Sequence, residues 1–186
     1  MNELIEKLKI TINKNSQKKI TYNENFITIK ENSIGSKLKA VTINGFIPND
    51  KTFAFSLDIG KNKICYYIDR KNFNKGCDGI IFLIRENKLY ILLCELKSDN
   101  PQKKDYENQL KSSEAFVSYI LKAVKIFDNI IIPNDFIKLI KILFYTKSLN
   151  KGITYSSNRT SKIKNDIHIF GCEEGHSATF FINQLI

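Results

Sequence analysis

Two unbroken apolar runs stand four residues apart near the middle of the chain. They are GIIFLI, from Gly79 to Ile84, and LYILLC, from Leu89 to Cys94, with Arg85-Glu86-Asn87-Lys88 between them. Neither run alternates apolar with polar residues. Each strand must therefore be covered on both faces, which places the pair centrally in a sheet with a layer on either side. A two-residue turn at Glu86-Asn87 makes Arg85 face Lys88, so that facing positions sum to 173. In that register Asp78 faces Glu95 as a non-hydrogen-bonded pair, with Cα atoms roughly 4.5 Å apart. Lys97 lies two residues beyond Glu95 and shares its face. A turn of odd length would turn the two carboxylates onto opposite faces.

Facing carboxylates repel each other, and the repulsion grows at the edge of an apolar core. A divalent cation relieves it. A hard oxygen site with only two carboxylates suits Mg2+, which keeps several waters and takes phosphate oxygens from a substrate. The competing reading is that strands turn polar wherever they leave a core. Glu-x-Lys recurs by chance in a Lys-rich chain, so the informative residue is the Asp in register across from it.

Around this hairpin the patterns predict an α/β (α+β) fold, a single domain with a mixed sheet flanked by helices. Leu4, Ile5, Leu8 and Ile12 have helical spacing. KKITYNENFITIK and SKLKAVTINGFIP read as strands, and TFAFSLDI and KICYYIDR flank a hairpin signal at Gly60-Lys61-Asn62. The main helix follows the central hairpin, with Asn100 as its cap and Pro101 as its first residue. Leu110, Val117, Ile120, Leu121 and Val124 form its apolar face, and Pro133 ends that region. FIKLIKILFYTK is a strand from Ile140 onward, the polar stretch after it a loop or surface hairpin, and two short strands flank Gly171–Gly175. The domain spans residues 1–186, with C-terminal strands in 137–186.

The pattern Asp78…Glu95-Leu96-Lys97 followed by a helix resembles the core motif of the PD-(D/E)xK nuclease superfamily, the restriction-endonuclease-like fold. The likeness covers roughly Ala54 to Phe127. Cys77 stands where many members have Pro, and Ser113 stands where the RecB-like branch has Tyr. The compact form looks most like nucleases of prokaryotic restriction and anti-phage systems. The resemblance implies hydrolysis of DNA phosphodiester bonds, in phage defence, restriction or repair, with Mg2+ as cofactor and Mn2+ able to substitute. It implies that Asp78, Glu95 and the Leu96 carbonyl hold the metal. Lys97 orients water or stabilises the transition state, Gln109 on the helix assists, and Glu3 or Glu6 of the N-terminal helix is a candidate further acid. Lys103, Lys104, Lys111 and Arg159 are candidates for phosphate contacts.

The net charge of +10 favours a polyanionic partner, DNA more than RNA, although the Lys and Asn excess is also what an AT-rich coding sequence produces. A homodimer or partner subunit is expected to complete so small a specificity surface. The four cysteines lack C-x-x-C spacing and read as core residues of a reducing compartment, not as a zinc set of Cys77, Cys94, Cys172 and His176. The N-terminus carries acids and no signal-peptide core, and no apolar run reaches membrane-spanning length, so a soluble cytoplasmic protein is expected. His168, His176, Asp58, Asp69, Glu173 and Glu174 read as structural or surface residues. Two other function classes stay open: a catalytically inactive nucleic-acid-binding or assembly subunit on the same fold, and a basic protein-binding adaptor.

Overall fold

The computed structural model describes residues 2–31, 33–58, 71–98, 101–146, 162–172 and 177–186. In chain order the described elements are α1 Asn2–Thr11, β1 Ile20–Tyr22, β2 Phe26–Lys30, β3 Ala40–Asn44, β4 Lys51–Phe55, β5 Gly79–Arg85, β6 Lys88–Lys97, α2 Lys103–Asp128, β7 Ile137–Thr146, β8 Lys162–Lys164, β9 Ile167–Cys172 and β10 Ala178–Phe181. The fold is α+β, as the patterns predict.

The hairpin β5–β6 has the even turn. Glu86 and Asn87 take φ of 50° and 58°, and seven pairs run from Arg85↔Lys88 to Gly79↔Cys94, each summing to 173. Two left-handed residues in succession make the primed turn whose twist matches the strands it joins.

Where one mixed sheet is expected, two form. β4-β5-β6-β7-β9-β8 make one sheet and β1-β2-β3-β10 the other. The reason lies in the two-faced apolar runs. Ile81, Leu83, Leu92 and Cys94 point one way, and they need a second apolar sheet to cover them. Ile27, Ile29, Val41, Ile43 and Phe180 supply it. Ile80, Phe82, Ile91 and Leu93 point the other way, under Leu4, Ile5 and Leu8 of α1 and Leu110, Val117, Ile120 and Val124 of α2. Each such buried Leu, Ile, Val or Phe contributes roughly 1.5–3 kcal/mol relative to exposure. Sheet, sheet and helices are thus three layers, with the central hairpin in the middle one.

Several boundaries differ from the sequence reading. α2 starts at Lys103 because Gln102 stays extended, so Pro101 precedes the helix and does not open it. Asn100 lies outside the described residues. The helix ends on Asn129 in the left-handed conformation, four residues before Pro133. β7 begins at Ile137, earlier than Ile140, because its first residues already pair in parallel with Leu89–Leu92 of β6. β4 ends at Phe55 and pairs with β5. The hairpin signal at Gly60–Asn62 and the KICYYIDR strand lie outside the described residues. β8 and β9 form a surface hairpin over Asn165-Asp166, while β9 and β10 enter different sheets. No helix among the described residues is long and apolar enough to cross a membrane.

Candidate active site

Asp78 sits one residue before β5, and its placement is set by α2. Ser112 Oγ donates to the Phe73 carbonyl (2.6 Å) and Gln109 Nε2 to the Gly76 carbonyl (3.2 Å). The Cys77 N–H donates to Ser113 Oγ (2.9 Å), which donates onward to the Gln109 carbonyl (2.9 Å). On the other side the small sheet presses on Gly79, where an added Cβ would lie 2.5 Å from Ile29 Cδ1. The segment leading into Asp78 is therefore wedged between helix and sheet. Asp78 Oδ2 in turn accepts the Leu96 N–H at 2.7 Å, which bridges the mouth of the hairpin. One step past Gly79↔Cys94, the register puts Asp78 across from Glu95.

Asp78 is 3% exposed and Glu95 is fully buried. Both Glu95 oxygens lack a hydrogen bond, although Lys97 Nζ approaches Oε1 to 2.5 Å. Burial pushes the Asp78 carboxyl up to about 7, against the Leu96 N–H bond, and the charges of Glu31 and Asp58 add to the rise. Burial also pushes Glu95 well above the ordinary range, with Asp78 adding to it and Lys97 opposing. Burial alone would lower Lys97, but the Glu95 contact and the Asp78 charge outweigh it and raise it.

Two further acids belong to this charge cluster, and neither is Glu3 or Glu6. Those two face solvent on α1. Glu6 pairs with Lys9 at 2.8 Å, and the neighbouring Lys7 pairs with Asp128 at the far end of α2. α1 spends its inward face on apolar packing, so its acids point away. Asp58 and Glu31 take their place. Asp58 follows β4, whose Phe55 pairs with Ile80, so it emerges at the same sheet edge as Asp78. Asp58 is held by Lys19 at 2.5 Å. Glu31 follows β2 in the small sheet. Its neighbourhood is tied to the end of β6 through Ser98 Oγ, which accepts the Lys37 N–H at 2.8 Å. No local pattern marks Glu31.

The cluster opens on a cleft of about 420 Å3 lined by Asp58, Lys75, Gly76, Lys97, Gln102 and Gln109 among others. It lies at the carboxyl end of β6, which runs parallel to β7, the edge where open α/β sheets place ligands. The register brings Asp78, Glu95 and Lys97 to one end of the hairpin, and Lys97 and Gln109 line the cleft. Gln109 lines the cleft while its amide N–H holds the loop. No protein-family model, no curated protein and no solved structure matches the chain.

The donor set fits a hard divalent ion. Two facing carboxylates, one with both oxygens buried and without hydrogen bonds, supply hard oxygens, and Leu96 adds a backbone carbonyl beside them. No group of three or more His, Cys, Asp or Glu able to hold a metal occurs among the described residues. An ion here would complete its shell with water and phosphate oxygens, the habit of Mg2+. A zinc set is not built. Cys77 and Cys94 point into opposite cores, burial pushes both thiols up, and His176 lies outside the described residues. His168 is half-buried on β9. Lys103, Lys104 and Lys111 are exposed on α2. Arg159, Asp69, Glu173 and Glu174 lie outside the described residues.

Proposed function

We propose that this chain is a metal-dependent nuclease of PD-(D/E)xK type that hydrolyses phosphodiester bonds of DNA in preference to RNA. One observation carries the reading: a fully buried Glu95 with neither oxygen hydrogen-bonded, set across from Asp78, with Lys97 beside it at the rim of a cleft. Two facing buried carboxylates with a single ammonium beside them are costly to hold, and a bound cation would offset that cost.

When bound, a divalent ion supplies Lewis acidity toward the scissile phosphate and an ionised water. Asp78, Glu95 and the Leu96 carbonyl hold it. Lys97 reaches the cleft, where its ammonium stabilises charge growing on the phosphate oxygens. Gln109 keeps the Gly76–Cys77 segment, and hence Asp78, in place. Lys104, Lys111, Lys122 and Lys125 are exposed along α2 within an arc of roughly 60° at 100° per residue. They offer a track for the phosphate backbone outside the cleft.

The test is incubation of plasmid and single-stranded DNA with Mg2+, Mn2+ or EDTA. Cutting is expected with either metal, lost in EDTA, and abolished by Glu95→Ala or Lys97→Ala while DNA binding remains. Undiminished cutting by both variants would overturn the site. Binding without cutting under any metal supports an inactive binding subunit, and neither binding nor cutting supports an adaptor.

A further inference from the structure

The metal-free site carries its own cation. Lys97 Nζ stands 2.5 Å from Glu95 Oε1, an oxygen that would face an ion held by Glu95. The contact is to Oε1, and Oε2 has no hydrogen-bond partner among the described residues. An ammonium and a divalent ion repel each other strongly across a shared carboxylate in a poorly solvated site. They compete for the same carboxylate. Lys97 also has somewhere to go. Its side chain is 28% exposed, lines the cleft and rides on a flexible four-carbon stem.

We infer that Lys97 is a displaceable placeholder for the metal: its ammonium neutralises Glu95 until a divalent ion takes that oxygen, and the displaced Nζ then swings into the cleft. The inference rests on the proposed metal role of Asp78 and Glu95. The other carboxylates lining the cleft are already paired, and Glu31 Oε1 accepts the Ser33 N–H at 2.7 Å. Asp58 is held by Lys19 at 2.5 Å, and Asp105 faces Lys75 at 4.0 Å. The released ammonium is left for an incoming anion. Loading is therefore ordered, ion before phosphate, and each ligand strengthens binding of the other, since such coupling is reciprocal. The arrangement keeps a phosphate-seeking amine withdrawn until the site is able to use it.

The experiment labels lysines of the full chain by reductive methylation with formaldehyde, without nucleic acid, in EDTA and in Mg2+. Each lysine is read by peptide mass spectrometry, and calorimetry measures ion binding in parallel. Labelling of Lys97 should be low in EDTA, while Glu95 holds the amine, and rise severalfold with Mg2+ as the amine moves into the cleft. Lys75, in the same cleft but away from Glu95, should not change. Glu95→Gln, which removes the tether, should expose Lys97 in EDTA already. If calorimetry shows the ion bound while Lys97 labels equally in both conditions, or is protected by Mg2+, the placeholder role is wrong and the metal site stands. If no ion binds, both fail.

Discussion

Burial disfavours the ionised form of both Asp78 and Glu95, neighbouring carboxylates add to this, and Lys97 opposes it. For Asp78 the folded value is raised from 3.8 to about 7, so between those values the folded chain holds a proton that the unfolded chain releases. Stability from this group is complete below the unfolded value and is lost as pH rises through the folded one. In EDTA, the wild type should therefore lose stability relative to Asp78→Asn as pH rises across that interval, measured as urea midpoints of both chains. Parallel curves would contradict the assigned environment. With Mg2+ the sign reverses, because the ion requires the ionised carboxylate, so its stabilisation of the wild type grows with pH. Ser113 bears on the same site. Ser113→Ala leaves the buried Cys77 N–H without an acceptor, at a cost of about 1–3 kcal/mol. Ser112→Ala, which frees a carbonyl nearer solvent, should cost less. Urea unfolding separates the two, and calorimetry should show weaker Mg2+ binding for Ser113→Ala because the segment it pins ends in Asp78.

The site depends on three elements meeting at one residue: the β5–β6 hairpin, α2 and the small sheet. Gly79 is where the sheets approach most tightly. Its absent Cβ leaves room for Ile29, a branched and fully buried side chain. Gly79→Ala should destabilise the chain by about 1–3 kcal/mol through overpacking. Ile29→Val removes the nearest atom and should recover part of that loss in the double variant. A Gly79→Ala chain as stable as wild type in urea would mean that the layers are not packed this closely. At the other end of the hairpin, Arg85 donates to Asp50, to the Gly45 carbonyl and to Asn183. The hairpin is thus pinned at both ends, which holds Asp78 and Glu95 in register.

At the scale of the whole molecule, charge is the dominant property. Among the described residues, Asp78, Glu95, Asp58 and Glu31 crowd together with Lys97 and Lys19, while the chain as a whole carries +10. That contrast suits a cation in the cleft and a polyanion around it. Replacing Lys104, Lys111, Lys122 and Lys125 by Ala should flatten the log–log salt dependence of duplex binding by up to about 0.9 per lysine lost. Measured on the Glu95→Gln background, the slope reports binding without cutting, and an unchanged slope would move the track elsewhere. The extent to which all this was readable beforehand follows the range of the interactions. The paired register of Asp78, Glu95 and Lys97 was legible because a two-residue turn and a period of two are short-range properties, encoded within twenty consecutive residues. The two-faced burial of the hairpin was legible for the same reason. The division into two sheets was not. It depends on β10 returning to lie parallel to β3, a pairing between segments far apart in the chain that no local period encodes. Nor were Asp58 and Glu31 legible as the acids beside the site in place of Glu3 and Glu6, or Ser113 as the clamp behind Asp78. Which carboxylates share a low-dielectric pocket is decided by how layers stack, and only the packed structure brings those layers together.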